Sequence, residues 1–117
     1  MRRLFILAAI LLAPAAALAD DMVFYMKNGT GTAIAVELRS QVRDYLWPGG
    51  DQVYLLEKDE KKSVTIGCDA GEKICYAAWL NGNDQVTWGV GPDGDHVCTD
   101  CCRVCVASAT ETLEIGR

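Results

Sequence analysis

The sequence holds one histidine, three prolines and two phenylalanines in 117 residues, with 11 basic against 16 acidic side chains. A lone histidine, His96, with no Gly-x-Ser-x-Gly segment, leaves a nucleophile–base–acid triad without its parts. No glycine loop has a phosphate-cradling pattern. The longest apolar run, Leu4 to Ala13, is about half the roughly 20 residues a membrane-spanning helix needs. The deficit of basic residues gives a formal charge of −5, so nucleic acid and anionic lipid are poor partners. There is no repeat of fixed period, no low-complexity linker and no sustained helical periodicity. Collagen-like, coiled-coil and wholly disordered classes are excluded, and the length leaves room for one domain.

What the chain does have begins at its N-terminus. Arg2-Arg3, the apolar run, Pro14 and then Ala17-Leu18-Ala19 before Asp20 read as a secretory signal peptide over residues 1–19, cleaved after Ala19. The mature domain is then residues 20–117, with no membrane span. Two arginines and no acid leave with the leader, so the charge moves from −5 to −7. The expected location is the periplasm or the cell exterior. An even count of six cysteines in a short exported chain fits a disulfide framework.

The mature segment alternates in short stretches broken by Gly, Asn, Asp and Pro. Met22 to Lys27 reads as a strand, and Asn28-Gly29-Thr30-Gly31 as a hairpin turn into Ala33 to Arg39, with Ile34, Val36 and Leu38 on one face. That turn accounts for Asn28-Gly29-Thr30 without a glycan. Further strands are expected from Gln52 to Glu57, Ser63 to Cys68, Ile74 to Leu80, Gln85 to Val90 and Thr110 to Ile115, the last with Leu113 and Ile115 inward. The charged run from Glu57 to Lys62 reads as a solvated turn. About seven short strands predict an all-β domain, a small antiparallel β-sandwich or partly open barrel, stapled by disulfides. A cysteine-rich turn or short helix is expected near its C-terminus.

Cys68 and Cys75 flank one turn; if the strands beside it pair, the two cysteines face each other and place Trp79 beside Val64 and Ile66. Cys98, Cys101, Cys102 and Cys105 follow an i, i+3, i+4, i+7 spacing, which a short helix would gather on one face. Structural bridges within the cluster, or to Cys68 and Cys75, are the first reading. Adjacent Cys101 and Cys102 are not expected to bond each other, because a bridge needs more widely separated Cα atoms. The second reading is a zinc or copper site on the four cluster thiolates with His96 as a further ligand. The third is a redox-active Cys-x-x-Cys. Asp93, Asp95 and Asp100 carry no complete calcium-loop pattern and read as a solvated turn. Among the aromatics, Trp79 and Trp88 alternate with core positions, whereas Trp47, ahead of Pro48-Gly49-Gly50, is the candidate surface ring for a partner.

Arg43 with Trp47-Pro48-Gly49-Gly50, Gly71-Glu72-Lys73-Ile74-Cys75-Tyr76 with Trp79, Trp88-Gly89-Val90-Gly91 and the cysteine cluster together resemble a group of small exported cysteine-rich bacterial proteins. The resemblance runs from about residue 23 to 105. It implies export and one compact domain, and carries no activity or functional residue. The expectation is a non-enzymatic binding module without a cofactor, recognising a protein or a glycan. The alternatives are the metal site and, below it, a thiol–disulfide redox protein.

Overall fold

A computed structural model describes residues 19–116; the expected leader lies outside them apart from Ala19. Nine strands and no helix make up the described residues: β1 (Ala19–Asn28), β2 (Ile34–Ser40), β3 (Leu46–Trp47), β4 (Tyr54–Leu56), β5 (Lys61–Asp69), β6 (Lys73–Leu80), β7 (Asn83–Gly89), β8 (Cys102–Val104) and β9 (Thr110–Ile115). One sheet runs β5-β1-β9. The other runs β3-β2-β6-β7, with β4 added to β2 and β8 to β6. Every pairing is antiparallel except β1 with β9.

Period-2 alternation builds the inner face of the three-stranded sheet. Met22, Phe24 and Met26 of β1 are fully buried, as are Ile66 and Cys68 of β5 and Leu113 and Ile115 of β9. They meet Ile34, Val36 and Leu38 of β2, and Leu56 of β4, in one apolar core. Each such side chain contributes about 1.5–3 kcal/mol on leaving water. The all-β, two-sheet expectation holds, with two additional very short strands.

β6 departs from alternation: Ile74, Cys75, Tyr76, Ala77 and Ala78 are all buried. Its register with β2 sets Ile74, Tyr76 and Ala78 beside Leu38 and Val36, on the core face. Cys75, Ala77 and Trp79 share the opposite face with Arg39, Glu37 and Ala35. The segment after β7 covers that second face, where Arg39 donates to the Pro92 carbonyl at 3.1 Å.

The expected hairpin at Asn28–Gly31, and the turn between Cys68 and Cys75, are corners between sheets instead. β1 and β2 do not pair, and neither do β5 and β6. Asn28 fixes the first corner: at 3% exposure its Nδ2 donates to the carbonyls of Thr32, Leu56 and Glu57, while its Oδ1 accepts from the Thr30 N–H and hydroxyl. Turn residues set local φ, not the strand that follows as partner. The turn at Asn81 to Asp84 does join a true hairpin, β6 to β7, with a bulge at Trp79/Leu80.

Two side chains join the sheets at opposite sides. The Trp47 indole N–H donates to the Gly67 carbonyl of β5 at 2.9 Å. Arg103 of β8 donates to the Thr112 carbonyl of β9 at 2.9 Å and pairs with Glu111 at 3.4 Å. Each occupies an outer carbonyl of the three-stranded sheet, where an unpaired edge would otherwise invite another strand.

Candidate functional site

All six cysteines are bridged, as Cys68–Cys105, Cys75–Cys102 and Cys98–Cys101. The expected facing of Cys68 and Cys75 fails because their strands belong to different sheets. Cys75 instead lies opposite Cys102 in the β6–β8 register. Cys68 reaches Cys105 with Cα atoms 6.1 Å apart, and Cys105 is held on the β5–β6 corner by hydrogen bonds to Gly71 and Glu72.

The helical face of four sulfurs is also overturned. Cys102 begins an extended strand; Cys98 and Cys101 bond each other, while Cys102 and Cys105 turn to Cys75 and Cys68. In this oxidised state none of them is a free thiolate, and no three His, Cys, Asp or Glu side chains converge as a metal set among the described residues. His96 is an exposed ring packed over Gly91, with Nδ1 3.4 Å from the Thr87 hydroxyl and Nε2 3.9 Å from Asp95.

Trp47 is a correction to the expected surface ring: only 6% of it is exposed. Its register with Leu38 turns it to the core, and the glycines after it shape the turn without baring the indole. Trp79 and Trp88 are partly buried against the core. The ring on the surface is Tyr45, 46% exposed, beside Val42 at 65%.

The loop from Gln41 to Tyr45 is firmly braced. The Ser40 hydroxyl accepts the N–H groups of Val42 and Arg43, each at 3.2 Å, and the Tyr45 carbonyl accepts the Ser40 N–H at 3.0 Å. The Gln41 N–H reaches the Lys73 carbonyl at 2.8 Å. The Arg43 guanidinium lies 4.5 Å from the Tyr45 ring centroid and 5.7 Å from that of Trp47. Tyr45 and Trp47 meet edge to face at 5.0 Å. The exposed ring is thereby fixed by a cation and by a buried indole.

Arg43 is itself clamped. Its Nε donates to Glu72 Oε2 at 2.6 Å and its Nη2 to Oε1 at 3.0 Å, and Asp69 stands 3.6 Å away. The Glu72 side chain is completely buried. Burial pushes its carboxyl up, but the hydrogen bonds from Arg43, the Asp69 N–H and the Ser40 hydroxyl, with the Arg43 charge, outweigh burial and hold it at about 2. The Glu72 hydrogen bond in turn raises Arg43. Tyr54 and Tyr76 are raised by burial. The sequence singled out neither Tyr45 nor the Arg43–Glu72 pair as a site; the signal available was the Tyr-x-Trp spacing beside an arginine.

Three recesses open elsewhere on the surface. About 200 Å³ lies among Lys27, Asn28, Gly29, Asp59, Lys61 and Glu114. About 380 Å³ is bounded by Trp79, Gly82, Asn83 and Asp84, and about 420 Å³ by Asp100, Arg103, Thr112 and Glu114. Each has at least one charged residue in its lining and opens to solvent, unlike the enclosing clefts that bury small molecules. Comparison with known protein families, with curated proteins and with solved structures finds no match to this chain.

Proposed function

We propose that the protein is a non-enzymatic binding module, exported to the periplasm or the cell exterior, which docks a protein partner through Val42, Arg43 and Tyr45. Three disulfides indicate an oxidising, extracytoplasmic environment, and the leader read over residues 1–19 supports export. The observation that carries the docking reading is an exposed Tyr45 held rigid between Arg43 and buried Trp47. Tyrosine and arginine dominate interface hot spots, and a pre-fixed ring loses little entropy on binding.

The pairing of Arg43 with Glu72 and Asp69 says what kind of surface fits. Its charge is already matched, so this face favours an apolar or aromatic side chain over a carboxylate. A sugar ring stacks less well, because the Arg43 guanidinium occupies a position over the Tyr45 ring.

The test is a photo-reactive residue at position 42 in the exporting cell, with position 58, in the turn between β4 and β5, as control. One discrete protein adduct at 42, absent at 58 and lost with Tyr45→Ser, is expected. Adducts that ignore Tyr45→Ser, or none at 42, would refute docking here. The exported protein should weigh as residues 20–117 less six hydrogens.

A further inference from the structure

The three bridges differ in what they hold. Cys68–Cys105 and Cys75–Cys102 span 37 and 27 residues, Cys98–Cys101 only 3. In the chain-entropy treatment a bridge restricts the unfolded chain by a factor that grows as the 1.5 power of its span. The short bridge therefore favours folding about 30- to 40-fold less than either long one.

They differ in access too, though less sharply. Cys68, Cys75 and Cys105 are 1–2% exposed, while Cys102 is partly buried at the end of Cys75–Cys102. Cys98 is likewise partly buried, but it follows Val97, which is 97% exposed. Thr99 and Asp100 are exposed as well. An incoming thiolate thus meets the short bridge from the Cys98 side.

Cys101 is fully buried, and its place does not depend on its own bridge. Its carbonyl accepts the Tyr76 N–H at 2.9 Å, and the adjacent Cys102 is tied to β6. Arg103 Nη1 donates to the carbonyls of Asp100 and Cys102, at 3.2 and 2.8 Å, one on each side of Cys101. These bonds keep the backbone on both sides of Cys101 in place when its own bridge opens.

We propose that Cys98–Cys101 is a thiol-exchange site, opened by a dithiol donor while the other two bridges remain closed. A donor thiolate attacks Cys98 Sγ, the Cys98–Cys101 bond breaks and a donor–Cys98 mixed disulfide forms. Cys101 leaves as a thiolate and takes a proton from water. The donor's second thiolate then attacks its own sulfur in the mixed disulfide, releasing Cys98, which is protonated in turn. Two electrons have passed to the protein, and the donor is left as a disulfide. Opening frees the stretch between two anchors that remain, the His96 N–H on the Val90 carbonyl and Arg103 on Asp100.

The test is a titration of the native protein with dithiothreitol, followed by alkylation, intact-mass measurement and peptide mapping. A species with two labels, on Cys98 and Cys101, is expected at reductant concentrations at least tenfold below those that open the other pairs, with thermal unfolding still cooperative. First labels on any other pair, or six labels arriving in one step, would overturn the proposal. Cys98→Ser/Cys101→Ser is expected to fold, to melt within a few degrees of the parent and to lack the two-label step. Persistence of that step in the double variant would equally overturn it.

Discussion

Replacing Glu72 by Gln tests whether the charge pair beneath Tyr45 stabilises the fold. The substitution keeps the size of the side chain and an oxygen for the Asp69 N–H, now 2.9 Å away, but removes the charge opposite Arg43. The Glu72 carboxyl is lowered from an ordinary 4.5 to about 2. At about 1.4 kcal/mol per tenfold, this corresponds to about 3 kcal/mol favouring the folded carboxylate. Arg43 is 38% exposed, so solvent screening reduces the expectation to about 2 kcal/mol. The folded value lies below the unfolded one. The contribution is therefore complete above about pH 5 and is lost as the pH falls from there towards 2. Urea titrations of parent and Glu72→Gln should differ by about 2 kcal/mol at pH 7, roughly 8–16 °C in Tm for a domain of this size, and converge near pH 2. A gap independent of pH, or below about 0.5 kcal/mol at pH 7, would refute the assignment. In Arg43→Gln the buried carboxylate loses its cation and burial pushes its carboxyl up, so the variant is destabilised at neutral pH and loses less stability on acidification than the parent does.

Trp47→Phe retains a ring but loses the indole bond to Gly67 across the sheets; a loss of about 1–2 kcal/mol is expected in chemical denaturation. An unchanged midpoint would mean that water satisfies the Gly67 carbonyl equally well. Asn28→Ala removes every hydrogen bond of a residue 3% exposed at the β1–β2 corner. About 3 kcal/mol should be lost in the same assay, against under 0.5 kcal/mol for an exposed control such as Lys58→Ala.

How far the fold could be read follows from how many faces each strand buries. β1, β5 and β9 pack one face, so alternation marks Leu113 and Ile115 as inward. β6 packs both faces and carries no such signal, and pairing across the Cys68–Cys75 turn, which would set Trp79 beside Val64, does not occur because β5 lies in the other sheet. Asn-Gly at Asn28 and at Asn81 look alike in sequence, yet one ends a sheet and the other joins a hairpin; the difference lies in the buried carbonyls of Leu56 and Glu57 that Asn28 reaches. At the candidate site, glycines near Trp47 suggested exposure, but cross-strand pairing with Leu38 turns the indole inward. Arg43 and Glu72 stand 29 residues apart, and nothing local marks Glu72 as the acid that is buried.

The cysteine spacing becomes intelligible once each bridge is assigned a mechanical task. Cys68–Cys105 fastens β5, in the three-stranded sheet, to the chain leaving β8 in the other, alongside the sheet-spanning bonds of Trp47 and Arg103. Cys75–Cys102 fixes β8, whose three residues make too few ladder bonds to persist alone, and so holds Arg103 where it reaches β9. Loss of either would loosen the joint between the sheets. Cys98–Cys101 spans no joint: the residues on both sides of it are already anchored through His96, Cys101 and Arg103. Four cysteines within eight residues thus divide into two that maintain the sandwich and a pair that closes only its own loop, the pair whose opening the fold tolerates best.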